Sequence, residues 1–300
     1  MKSNHADQNH SISNHRPQRI NSRVSESQFN PGPYPFPEQP IKRERDLLGK
    51  EPPGDLIDWS HRKGEPRVLA LLWMIYLLIA TTLMFSHLAS GYSIAPSISR
   101  PASREMLVIV IFGMSILWPM ARFSQTIARP SIVGASVRDL FVILIPMQAV
   151  IWPQKLIVLG GWSTEVVFAL TLHCAAWGLV TAGVISVGSI LIAGSNNHAR
   201  TRAIVALASI TVVILVPIIE LVTLKGAPLS VSHANLGWML SPITGIMEIT
   251  ADRRVLGQPA MVFADHFRII AAVACVGLAL LVFGRALENA KWVARRRIDP

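Results

Sequence analysis

From Arg67 to Arg285 the chain alternates long apolar runs with short polar interruptions. Six runs, Val68–Leu88, Met106–Gln125, Leu140–Gly160, Val166–Ile192, Ala203–Leu224 and Phe267–Gly284, are each about twenty residues long. A helix rising ~1.5 Å per residue needs that length to cross a ~30 Å hydrocarbon layer. The pattern predicts an all-α fold: a polytopic helical membrane protein whose domain, residues 67–290, carries about six transmembrane helices. A further apolar stretch over 235–250 is too short to cross and is broken by Pro242 and Gly245. It reads as a re-entrant or interfacial pair of short helices, with Ser241, Pro242 and Gly245 at the break. Such an element is viable where protein buries it or where it lines a wet cavity.

Ahead of the first run the pattern disappears. Residues 1–54 are rich in Asn, Ser, Gln, His, Pro and charge, with almost no aliphatic clusters. They cannot bury enough apolar surface to offset ordering entropy, so a disordered tail is expected. Prolines alternate with other residues from Pro31 to Pro37, which favours extended conformations around Tyr34 and Phe36, either as a spacer or as a docking arm. His5, His10 and His15 lack the fixed geometry that metal capture requires. Residues 55–66 place Asp55 at the start and Arg62-Lys63 at the end of a segment containing Leu56, Ile57 and Trp59, which suits a short interfacial helix before Pro66. No short apolar stretch with a small-residue cleavage site lies near Met1, so a cleaved secretory signal is not expected.

Charge sets the expected orientation. Net charge is +10 although charged residues make up only 15% of the chain, so where Lys and Arg fall is informative. With six crossings and a cytoplasmic N-terminus, most of the cations after residue 66 fall inside, as the positive-inside rule requires. Residues 291–300 then form a basic cytoplasmic tail, its Lys291-Trp292 and Arg295-Arg296-Arg297 facing anionic lipid. The expected location is the cytoplasmic (inner) membrane, with both termini in the cytoplasm. The lipid bilayer accounts for the basicity, and no nucleic-acid module accompanies the cations.

Polar residues inside the spans are the candidates for chemistry. Gln148 sits in the third run between Pro146 and Trp152-Pro153, His173 two turns into the fourth, and Glu220 near the end of the fifth after Pro217. They can line an aqueous path, with His173 and Glu220 sensitive to protons. Alternatively Gln148 joins helices, His173 bonds a neighbour and Glu220 reaches the interface. Trp118-Pro119 and the prolines of the third run predict two helix kinks. Ala175, Gly178, Ala182, Ser186 and Ser189 recur at spacings of three and four, a small-residue stripe that lets helices approach closely, within the chain or across a homodimer seam. Cys174 and Cys275 lie in apolar runs without metal or redox spacing. Phosphate-loop, zinc-helix and nucleophile-elbow motifs are absent, so neither a cofactor nor an enzymatic activity is expected.

A surface helix, six spans, a re-entrant element before the last span and a basic end resemble the permease subunit of ABC-2-type exporters. Leu240-Ser241-Pro242-Ile243-Thr244 is similar to the Asn/Ser-Pro element often found there, and the Arg122–Arg138 loop sits where a coupling segment would meet an ATPase. The Gly-Thr-rich coupling sequence usual in that family is not evident in Gln125–Pro130. The resemblance implies a transport-complex subunit powered by a separate ATPase. A non-catalytic anchor or assembly protein with a recruiting tail, and an intramembrane enzyme, are the alternatives.

Overall fold

The computed structural model describes residues 66–89, 96–125, 131–223, 235–252 and 259–296, and among them every regular element is a helix. The tail expected over 1–54, the surface helix expected ahead of Pro66 and the side chains of the basic cluster from Lys291 lie outside the described residues. Among the described residues six helical spans are long and apolar enough to cross a membrane, which makes the chain an integral membrane protein. The first is α1, Pro66–Ala89. The second is composite: α2, Pro96–Phe112, a π-helical turn at Gly113–Leu117, and α3, Trp118–Ser124. The third is α4, Ile132–Ile151, closed by a 3-10 turn at Trp152–Lys155. The fourth and fifth are α5, Thr164–Ala193, and α6, His198–Thr223. Two short helices follow, α7, Leu236–Met239, and α8, Pro242–Ile249, before the sixth span α9, Ala264–Arg296.

Three spans run about two turns or more beyond their apolar cores. Helix α2 starts ahead of the expected Met106, α4 ahead of the expected Leu140, and α9 continues past Gly284. Each extension carries charges that find partners. Arg100 reaches Asp252 at 2.8 Å, Asp139 pairs with Arg122, and Glu288 accepts from the Ile132 backbone N–H at 2.7 Å. A hydropathy pattern stops at such residues, whereas a helix does not once the charge is paired.

The irregular turn in the second span follows from Pro119. Proline has no N–H to continue the ladder, and the Trp118 N–H just before it reaches the Gly113 carbonyl, five residues back. Tyr76 Oη donates to the Ile109 carbonyl at 2.6 Å, one turn before this widened stretch. Its ring occupies the space beside Gly113, where an added Cβ would fall 2.3 Å from it. Trp73, stacked on Tyr76, donates from Nε1 to the Ile143 carbonyl at 2.9 Å, three residues before Pro146, and α4 passes through that proline as a continuous helix.

Helix α5 is the most buried of the six spans, and α6 the least. The side chains of α5 are small enough for neighbours to come close on several sides. Leu140 and Leu144 of α4 lie against Gly178, Leu280 of α9 against Gly183, and Phe123 against Gly188. Ala182 and Ser186 are fully buried, Gly178 and Ser189 are buried, and Ala175 is half-buried. The closest approach to backbone is from the other partner: a Cβ on Gly277 of α9 would lie 2.7 Å from the Val180 backbone nitrogen, which cannot swing aside. Gly277→Val is therefore expected to destabilise the protein by about 1–3 kcal/mol through overpacking, read as a lower melting temperature in detergent. Unchanged melting would mean that α5 and α9 do not meet there.

Candidate functional site

The polar groups that a membrane interior tolerates poorly gather at the two ends of the bundle. One end is capped by the α7–α8 hairpin. Asn235 opens it, its side chain accepting from the Trp238 N–H, and Thr244 Oγ1 donates back to the Trp238 carbonyl at 2.7 Å. Ser241 is buried and caps α8 by accepting from the Ile243 N–H, and Pro242 follows at the first helical position, where a missing N–H costs nothing. At the far end of α8 Arg104 Nε donates to Thr250 Oγ1 at 2.9 Å, and Nη2 to the Thr250 carbonyl at 2.7 Å. A cation at a helix C-terminus also suits the helix dipole. Arg100, one turn earlier in α2, holds Asp252 and the Gly160 carbonyl.

Beneath the hairpin lies His173 of α5, 1% exposed, and its Nε2 is 3.2 Å from the Pro242 carbonyl. A carbonyl only accepts, so Nε2 carries the proton in this contact. The imidazole fits because residue 245 is glycine: a Cβ there would lie 2.3 Å from His173 Cε1. The sequence-derived candidates His173, Pro242 and Gly245 are therefore in direct contact. Gln148 is a step away, its Oε1 accepting from Thr171 Oγ1 at 3.2 Å and its Nε2 donating to the Leu144 carbonyl, so the amide links α4 to α5. Glu220 lies in α6, but its side chain is outside the described residues.

Sequence reading missed the carboxylate at the centre of this end. Glu248 is fully buried, and its Oε1 accepts from the Asn235 N–H at 3.1 Å. The same oxygen faces His266 Nε2 at 3.7 Å, and His266 is equally buried. His266 Nδ1 accepts from the Phe263 N–H at 3.0 Å, a reciprocal cap at the start of α9, which directs the ring's proton to Nε2 and toward Glu248. One carboxylate thus bonds the entrance of the hairpin and faces the entrance of the last span. Glu248 was detectable as an acid inside an apolar stretch. Its partners, contributed from either side of the hairpin, were not.

The opposite end is a collar around the start of α4. Ser131 caps α4 through the Gly134 N–H at 3.1 Å. Glu288 of α9 accepts from the Ile132 N–H and from Arg285, which also donates to Ser131 Oγ at 3.0 Å. An acid at a helix N-terminus is favoured by the dipole as well as by the bond. Asp139, 1% exposed, pairs with Arg122, and Arg122 donates to Gln125 at 2.8 Å. The collar joins the second, third and sixth spans beside residues 126–130, which lie outside the described residues.

The two ends define the class: a polytopic helical membrane protein with a broken hairpin locked into one face and a charged collar at the other. No family model, curated protein or solved structure matches the chain. The seat of the hairpin is testable by a double-mutant cycle. Gly245→Ala should lower the melting temperature and expose the hairpin to protease, because the new methyl overlaps the imidazole. His173→Ala in the same chain should restore part of the loss, giving a coupling of about 0.5–3 kcal/mol. Additive effects would separate residue 245 from His173.

Proposed function

We propose that this protein is the membrane-spanning subunit of a transport complex, an exporter-type permease powered by a separate ATPase. In this reading it sits in the cytoplasmic membrane with both termini in the cytoplasm. The observation that carries it is the α7–α8 hairpin, a helix broken at Ser241-Pro242 and held in place by the side chains of Arg104, His173 and Glu248 rather than by a continuous backbone ladder. Backbone broken within an apolar stretch is viable where protein buries it or where it lines a wet cavity, and in this reading the hairpin borders the passage. Side-chain tethers can be exchanged one at a time, whereas a continuous helix must break.

The second span makes a mechanical link plausible on physical grounds. Its α2 portion carries Arg100 and Arg104, which hold the hairpin's exit, and its α3 portion carries Arg122, bound into the collar. A push on the 122–138 region by an ATPase would act on a span that ends at the hairpin. The widened turn at Gly113–Leu117 lies between the two and is the place where that span gives most easily. An intramembrane enzyme would need acid and base groups that a substrate reaches. Glu248 and His266 face each other but are fully buried and bond the backbone at the starts of α7 and α9. The anchor reading places function in the tail, beyond the described residues.

Affinity purification of the full chain in mild detergent tests the proposal. An ATPase is expected to co-purify in fixed ratio, and Arg138→Glu, which reverses an exposed charge beside the collar, should weaken its retention. A folded, pure chain that brings no ATPase would overturn the permease reading and favour the anchor. Topology is tested separately with single cysteines placed at Ser3 and Arg296. Both should be shielded from a membrane-impermeant reagent in intact cells. Labelling at 296 from outside would overturn the orientation.

A further inference from the structure

A cavity of about 320 Å³ opens where the second span, α5 and α6 diverge, away from the hairpin and the collar's hydrogen bonds. It falls within the size range of ligand sites, and its walls are almost wholly aliphatic, so water gains little by entering. Yet three polar groups around it lack partners. Ser115, in the π-helical turn, lines the cavity at 3% exposure, and its Oγ has no hydrogen bond. Trp177 also lines it, with Nε1 buried and unpaired. Arg202 has a buried, unpaired Nε and lies three and seven residues before the lining residues Val205 and Ser209, on the same face of α6. A cation one turn into α6, followed by an apolar slot that runs past Val205, Ala208 and Gly188 to Ser115 and Trp177 at its inner end, follows the order in which a phospholipid presents phosphate and acyl chain.

We propose that this cavity binds an anionic phospholipid of the surrounding membrane, with Arg202 facing the phosphate and one acyl chain in the slot. A helix from a second copy, ~10 Å across, is too wide for a slot of this volume. The lipid also accounts for α6 burying least of the six spans: part of its packing surface is supplied by the lipid chain. Van der Waals contact along that chain replaces the helix contacts that α6 lacks.

The test uses the full chain in vesicles of phosphatidylcholine and phosphatidylglycerol, with a photoreactive group on the acyl chain of one lipid at a time. Phosphatidylglycerol should label peptides around Ser115 and Val205–Val213 in preference to phosphatidylcholine. Arg202→Gln should reduce that preference about fivefold, the contribution of one cation at an anionic lipid surface. Ala208→Phe, at a lining position, should block labelling by both lipids while melting stays near wild type. Equal labelling by the two lipids, or labelling that survives Ala208→Phe, would reduce the lipid to a nonspecific annular neighbour and overturn the proposal. If Ala208→Phe does not fold, the Arg202→Gln comparison decides alone: a preserved preference overturns the site, and a lost one supports it.

Discussion

A backbone polar group that faces hydrocarbon without a partner costs several kcal/mol, and lipid offers none. Much of the irregular structure in this bundle follows from that constraint. Where α7 ends, Thr244 covers the Trp238 carbonyl, and where α8 ends, Arg104 covers Thr250. The Tyr76 hydroxyl bonds the Ile109 carbonyl just ahead of the widened turn, and the Trp73 indole bonds Ile143 just ahead of Pro146. In each case the partner comes from a side chain on another element or another turn. Departures from regular helix and tertiary packing are therefore specified together.

The same logic governs charge. Asp139 is 1% exposed, and in an apolar surrounding an unpaired carboxylate would be far costlier than a lost hydrogen bond. Pairing with Arg122 lets α4 extend through residues that would otherwise end it. Glu248 works differently, because its main tie is to a backbone N–H at the hairpin's entrance, with His266 opposite. The first arrangement lengthens a span, and the second fixes where a broken element begins. Neither is a strong source of net stability by itself, since desolvation consumes most of the attraction. Their effect is on specificity: other placements of these segments strand a charge.

This also explains which parts of the structure were legible in the sequence. Apolar runs reported the spans because hydrocarbon burial depends on composition and length alone. Pro242 and Gly245 marked the hairpin because their backbone effects are local. The small residues around Gly178 and Ser186 marked a helix that others can approach. The extension of α4 to Ile132 was hidden because Arg138 and Asp139 look like a boundary until Arg122, on the preceding span, is known to be beside Asp139. Likewise Arg100 and Arg104 read as loop cations, and nothing local connects them with Thr250 and Asp252, about 150 residues on. Hydropathy is additive along the chain, whereas pairing is a property of the folded contact.

The division between a tightly packed helix and a loosely packed one then bears on mechanism. Helix α5 is held on several sides by contacts at glycine distance, so it cannot shift without opening gaps toward α4 and α9 together. Helix α6 has little such restraint, and it leads through residues 224–234 to the hairpin. The hairpin is tied to the fixed part by His173 on α5 and to the second span by Arg104. Of the six spans α6 is therefore the one that can shift with least disturbance of the dense core, to which the second span and the hairpin both contribute. The hairpin itself is held by the hydrogen bonds of Arg104 and His173, each worth about 0.5–3 kcal/mol net depending on charge, and by the fully buried Met239, Ile246 and Ile249, which pack into the same core as the second span. An element held by apolar burial as well as by side-chain bonds has one specified seat, and leaving it costs more than any single one of those bonds.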